Sequence, residues 1–501
     1  PREEWKKLED LAAQLAEFDL RCAAGDYDTA CSVLCEIDFD YLLLWGHYRL
    51  LIDLHLRVKD KVTDEILRMG NLNGLGLAYY FIGKVKESIG FYQKGLETAR
   101  EVKDRGWVGA FLGNLGLAYA ALGEARKAIE FHEQALVIAR EIGNRRSEGR
   151  HLANLGLAYA DLGEARKAIE FYEQALVIAR EIGDRRGEGT RLGNLGNAYA
   201  DLGEARKAIE FYEQTLAIAR EIGDRRGEGG ALSSLGSAYA DLGEARKAIE
   251  FYEQTLVIDR EIGYRQGEGT DLSNIALRYF ELGENNKSID FYNQALQNAR
   301  EIGNKYGESK RLNGLAGVFI EKGDLQNAIK NSQEAIQIGQ EISSPEVCIE
   351  SGHKLATALL FSDQLKDALQ VVQNAEKYDI PTSIFNVSAL CGIIALRQGE
   401  RESAQVAFAQ SIAQADELLA KTPDYYEALD AKGLAVCGLI LVKDLTGLED
   451  LSGLAVETFR AARKIASHAG VVKRVLRLFD ELAKCDVDGV LVEARKAAEG
   501  E

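Results

Sequence analysis

Apolar residues recur along this chain at helical spacing, and the spacing itself repeats. Between 124 and 142, Ala128, Phe131, Ala135 and Ile138 form one apolar stripe, while Glu, Arg, Lys and Gln take most of the remaining positions. Ahead of it, Leu115, Gly116 and Tyr119 mark a first helix that stops at Leu122-Gly123, and Gly143 ends the second, as glycine does past a helix C-terminus. The hexapeptide LGLAYY at 75–80 returns as LGLAYA at 115–120 and 155–160, then as LGNAYA, LGSAYA and IALRYF. Weaker copies, LAGVFI and LATALL, follow at 315–320 and 355–360, so eight copies share one 40-residue register. A period of this length predicts stacked helix pairs, each unable to bury its apolar face alone.

The stops recur with the period: Gly123, Gly163, Gly203, Gly243, Gly283 and Gly323 after first helices, and Gly143, Gly183, Gly223, Gly263 and Gly303 after second ones. The glycine inside the first helix (Gly116, Gly156, Gly196, Gly236) costs about 1 kcal/mol of helix propensity against alanine. Close approach of two helix backbones would explain it, and Ala276, Ala316 and Ala356 at that place suit the same reading. These positions are core.

Leu155, Gly156, Tyr159, Gly163, Ala168, Tyr172 and Ala175 match the signature of the tetratricopeptide repeat, with Arg180 where that repeat usually has proline. The longer unit, with its EIGDRRGEG linker, resembles the variant of kinesin light chains and of the Pins/LGN polarity adaptors. The resemblance implies an all-α, right-handed superhelical solenoid of antiparallel helix pairs. It divides the chain into degenerate helical repeats at 1–66, a regular array at 67–345, and degenerate units with a C-terminal cap at 346–501. An amphipathic helix near 471–485 is expected to provide that cap.

The flanks carry a second resemblance. The segment Asp40-Tyr41-Leu42-Leu43-Leu44-Trp45-Gly46, and the stretch from Ala389 to Leu441 containing KTPDYYEALDAKGLAV, are similar to the C-terminal sensor region of bacterial STAND NTPases, the NLR-like proteins with an NB-ARC or NACHT ATPase. This implies an ATPase and an effector upstream, a setting that suits a chain starting without Met, and a role in defence against phage.

Composition narrows the function. With 46% hydrophobic and 28% charged residues and four prolines, the chain is ordered and not a disordered linker. A formal net charge of −18 argues against nucleic-acid affinity, which needs Lys and Arg on phosphates. The longest apolar run, Ala435 to Val442, is too short to span a membrane, and the opening residues lack the apolar core of a signal peptide. Seven scattered cysteines form no disulfide framework, and a reducing cytoplasm is the expected setting. Cys31 and Cys35, with Cys22 nearby, allow a thiolate metal site but read more simply as small buried hydrophobes.

Six scattered histidines (His47, His55, His132, His151, His353, His468) show no metal spacing, no phosphate loop is present, and carboxylates are expected on solvent faces. No cofactor and no catalysis are therefore expected. Variation instead gathers on the first helices, which in such a solenoid line the concave surface. At one register it runs Arg150, Thr190, Gly230, Thr270, Lys310, while second helices stay nearly identical. The inward stripe reads Arg146, Arg150, Asn154, Leu157 and Asp161, then Arg186, Thr190, Asn194, Asn197 and Asp201. Asn114, Leu117, Arg191, Arg226 and Asn274 complete the candidate surface. A primary amide offers an acceptor and two donors, the complement of an extended peptide backbone. Arg near a first-helix N-terminus and Asp near its C-terminus oppose the helix dipole, each disfavoured by about 0.3–1 kcal/mol, which calls for a partner in the next repeat or in a ligand. The expected partner is a protein or peptide, or the chain's own upstream ATPase; the alternative role is a freestanding adaptor.

Overall fold

A computed structural model describes residues 5–378, 380–442, 448–466 and 469–500, all of them in helices, turns and connections without a strand. It resolves into two compact units, one ending at Gly227 and the other beginning at Glu228.

The first unit opens with α1 (Ala12–Ala24), α2 (Tyr27–Cys35) and α3 (Tyr48–Val58). Four helix pairs follow: α4 (Glu65–Phe81) with α5 (Val85–Glu101), α6 (Arg105–Ala121) with α7 (Ala125–Glu141), α8 (Arg145–Asp161) with α9 (Ala165–Glu181), and α10 (Arg185–Asp201) with α11 (Ala205–Glu221). Each first helix starts where the linker supplies an N-cap. The Asp104, Asn144 and Asp184 side chains accept from the backbone N–H three residues on. The helices of a pair end just before a left-handed residue, a glycine such as Gly123 at φ 74° and Gly143 at φ 68° in all but α5, where Lys103 takes the place at φ 56°.

Packing inside a pair corrects one expectation. The Gly156 backbone lies under the Tyr172 ring so closely that a Cβ would sit 2.4 Å from it, and Gly116 lies likewise under His132, at 2.6 Å. The crowding comes from an aromatic side chain of the second helix, not from the second backbone. In each pair the first-helix Tyr also stacks on Phe of the second, as Tyr159 does on Phe171 at 5.3 Å, with Lys167 over the Tyr159 ring at 5.0 Å.

Between pairs runs a clasp of charges. Glu148, expected on a solvent face, is 7% exposed. Arg140 Nε donates to it at 2.9 Å and Arg145 at 2.6 Å, while Arg145 reaches on to Glu181. Arg180, Glu188, Arg185 and Glu221 repeat the pattern one unit later. Arg140 and Arg180 occupy the register where the repeat family usually has proline. Burial pushes the Glu148 and Glu188 carboxyls up, but the Arg partners more than reverse this and hold both below the ordinary range.

The linker begins α12 (Arg225–Asp241), and the second unit continues with α13 (Ala245–Ile262), α14 (Arg265–Glu281), α15 (Asn285–Glu301), α16 (Lys305–Lys322), α17 (Leu325–Glu341), α18 (Pro345–Phe361) and α19 (Leu365–Ala375). The clasp persists: Glu268 is held by Arg260 at 2.8 Å and by Arg265, and Glu308 by Arg300 at 2.7 Å and Lys305 at 3.0 Å. Where Ala276 replaces the first-helix glycine, the Tyr292 ring lies against Gly314 instead. Beyond these come α20 (Ile384–Arg397), α21 (Arg401–Lys421), α22 (Tyr426–Val442), α23 (Leu448–Ile465), α24 (Ala469–Ala483) and α25 (Val492–Glu499).

The amphipathic helix expected near 471–485 is α24, and it does more than close an end. It folds back against the first helices α14, α20 and α22. Arg477 donates to the Ile320 carbonyl at 2.6 Å and stands 3.8 Å from Glu321, and its guanidinium lies over the Phe361 ring. Phe479 and Leu482 of α24 are fully buried in the core of this unit.

Candidate functional site

In the first unit α6, α8 and α10 lie side by side through the contacts of α6 with α8 and of both with the intervening second helices. Their outward register carries the candidate residues. Arg146 and Arg150 are exposed, and Leu117 and Leu157 are 40% and 47% exposed, large apolar side chains left open to solvent.

The asparagines divide into two kinds. Asn114 Nδ2 donates to Asn73 Oδ1 at 2.8 Å, a bridge within the array, and Asn197 Oδ1 accepts from the Tyr212 hydroxyl at 2.8 Å. Asn154 and Asn194, both half-buried, have no side-chain hydrogen bond among the described residues. In the second unit, Asn274 of α14 is half-buried and equally unbonded.

The arginines are less uniform than the sequence stripe implies. α10 starts at Arg185, so Arg186 does stand in the first turn, against the dipole; its guanidinium lies 3.6 Å from Asp224, the acid just before α12. That is a partner inside the array. Arg191 is half-buried and turned along its own helix, Nη1 donating to the Gly187 carbonyl at 3.3 Å, and burial lowers its pKa. Arg226 is exposed at the start of α12 and is already engaged with a neighbour. Thr190 bonds the Arg186 carbonyl of its own helix. Among the described residues, the candidate arginines and asparagines of this unit left with unused polar capacity are therefore Arg146, Arg150, Asn154 and Asn194.

His55, His132 and His151 are buried packing groups, while His353 lines a cleft in the second unit. His132 and His151 are buried with ring centroids 5.7 Å apart, and burial, aided by the charge of Arg150, lowers their pKa values to about 4 and about 3. The buried His55 ring meets the Asn71 amide at 3.0 Å. His468 lies outside the described residues. Cys31 is buried and its thiol donates to the Leu67 carbonyl at 3.4 Å. Among the described residues no three His, Cys, Asp or Glu converge as a metal site, and no helix is long and apolar enough to cross a membrane.

Two groups escaped the sequence reading. The buried glutamates of the clasp were signalled by the fixed offset of eight residues from Arg140 to Glu148 and from Arg180 to Glu188. Arg474 and Arg477 of α24 had no such signal, because their partners are far away in sequence.

A tetratricopeptide-repeat family model matches residues 68–141, 147–221 and 228–301, and a model of anaphase-promoting complex subunit 5 matches 311–360. No curated protein matches the chain. Similar solved structures include a signal transduction ATPase with numerous domains and a tetratricopeptide-repeat sensor from Pyrococcus horikoshii, 18% identical at a TM-score of 0.49, with 71% of this chain and 55% of that one covered. The quorum sensor NprR of B. thuringiensis, in its apo form, is 17% identical at 0.46, covering 74% of this chain and 99% of that one. BtubC of P. vanneervenii is 20% identical at 0.39, covering 45% and 93%. The chain spans about 55% of the Pyrococcus ATPase. Residues 68–301 are an array of tetratricopeptide repeats, and the chain is built around them as an all-α array of antiparallel helix pairs.

Proposed function

We propose that the first-helix face of the first unit binds an extended segment of another protein and performs no chemistry of its own. The observation that carries this is the pair Asn154 and Asn194. They stand at one register of consecutive repeats, half-buried, with their amides unused, while Asn114 and Asn197 nearby are bonded within the array. Two such amides can bracket a peptide backbone, each accepting and donating. Arg146 and Arg150 beside them favour an acidic segment, and Leu157 offers an apolar contact.

The finer reading is a sensor: the face takes a target in a bacterial cytoplasm and the array relays occupancy to an ATPase on the same polypeptide, in defence. It is supported by the resemblance of residues 40–46 and 389–441 to the sensor regions of STAND NTPases. A freestanding adaptor is the other reading, and the gene decides between them: a P-loop and winged-helix region upstream supports the sensor, and their absence removes it.

Binding is tested by capture from host and phage-infected lysate. The wild-type chain is compared with Asn154→Ala/Asn194→Ala/Arg150→Glu, partners being identified by cross-linking and mass spectrometry. A partner cross-linked to α8 and α10 and lost with the variant is the expected result. Equal retention by both proteins removes this face from recognition.

A further inference from the structure

We propose that a cleft in the second unit is a separate binding site, for a small amphoteric ligand with an apolar body: an apolar amino acid or dipeptide with free carboxylate and amine. The cleft, about 760 Å³, lies among α16, α18, α20, α22 and the returning α24. That is within the range of sites for small molecules. Ile349, Leu434, Val475 and Leu478 give it an apolar wall.

Its charges are the telling part. Lys310 is already bound to Glu346 at 2.8 Å and Glu350 at 3.0 Å, and Glu427 accepts from the Tyr425 and Tyr426 hydroxyls at 3.3 and 3.4 Å. Lys354 and Arg474, both half-buried and both lining the cleft, have no hydrogen bond or ion pair among the described residues; Arg474 lies over the Phe280 ring at 5.4 Å, and its charge reaches Asp430 and Tyr426 without a bond to either. On the acceptor side stands Asp430, 5% exposed. One of its oxygens is held by Arg463, but Oδ2 has no hydrogen-bond partner.

A lysine partly removed from water without a counter-ion, an arginine that its neighbouring carboxylate does not bond, and a buried carboxylate oxygen without a donor are each unfavourable. One ligand relieves all three when it brings an acid to Lys354 and Arg474 and an N–H to Asp430. The apolar wall between them selects an aliphatic body over a polyol. Because Val471, Arg474, Val475 and Leu478 all belong to α24, an occupied cleft also fastens that helix to the first helices. None of these residues belongs to the face proposed above, so the two sites stand or fall separately.

The test uses the full chain and leucyl-leucine as probe, titrated calorimetrically beside its C-terminal amide and glycerol 3-phosphate, with amide hydrogen exchange followed across α24. The expected dissociation constant is about 0.1–1 mM for a ligand of this size. The amide should bind at least about tenfold more weakly, and exchange across 469–483 should slow when the acid is bound. Lys354→Met should lower the affinity for the acid to that for the amide; Arg474→Met serves the same purpose if the first variant misfolds by circular dichroism. Absence of binding at about 5 mM, equal affinity for acid and amide, tighter binding of glycerol 3-phosphate, or affinity unmoved by the cation variants overturns the proposal.

Discussion

Glu188 shows how much one side chain does in this array. It sits 7% exposed between Arg180 and Arg185, so one carboxylate joins the end of a second helix to the start of the next first helix. Glu188→Gln keeps the volume and removes the charge. It should lower stability by about 1–2 kcal/mol in urea denaturation, because charge-assisted bonds are the stronger ones and both arginines are half-exposed. Glu173→Gln, on an exposed face, should stay within about 0.5 kcal/mol. His132 makes a second prediction. Its folded pKa, about 4, lies below the ordinary 6.5, so the unfolded chain takes up the proton first. The stability it contributes is whole above pH 6.5 and is lost as pH falls from there towards 4. His132→Tyr, the residue of the sister repeats at Tyr172, should flatten that part of a stability–pH curve. At this scale the sequence was legible by register only. It marked Asn154, Asn194, Asn114 and Asn197 alike, but which amides remained unused depended on Asn73 and on the reach of the Tyr212 hydroxyl.

The elements were the most legible level. Glycine stops and the 3.6-residue stripe placed the second helix of the regular pairs, and the end of the first, to within a residue or two, since the left-handed glycines at 123, 143, 163 and 183 end helices by backbone sterics alone, while the start of the first helix stayed open. What the pattern did not reveal was the neighbour that made the inner glycine necessary, because a missing Cβ is equally compatible with a backbone or a ring above it. Two substitutions separate propensity from packing. Gly230→Ala, at an exposed position of α12 with nothing near its Cβ, should raise stability by about 0.5–1 kcal/mol. Gly156→Ala gains the same propensity but drives a methyl into the Tyr172 ring, and should be net destabilising by about 1–2 kcal/mol. Paired thermal melts check both signs.

Across the molecule, composition and period alone specify an all-α array, yet the path of α24 cannot be read that way. Its contact from Arg477 to the Ile320 carbonyl spans 157 residues and breaks the nearest-neighbour rule that governs the rest. The regular stretch obeys that rule closely enough to be edited. Deleting residues 165–204 joins Glu164 to Ala205, pairing α8 with α11, which is almost identical to the α9 it replaces, and leaving Arg145 a glutamate, Glu221, in the place of Glu181. The shortened chain should fold with its cooperative unfolding intact, seen by circular dichroism and a single urea transition for that region, while losing the Asn194 position. The clasp thus has a meaning beyond cohesion. Since the junctions at Glu148, Glu188, Glu268 and Glu308 present like halves, repeats between them can be gained or lost by recombination between near-identical stretches of the gene without creating a mismatched seam, and the length of the reading face becomes something that lineages can change in single steps.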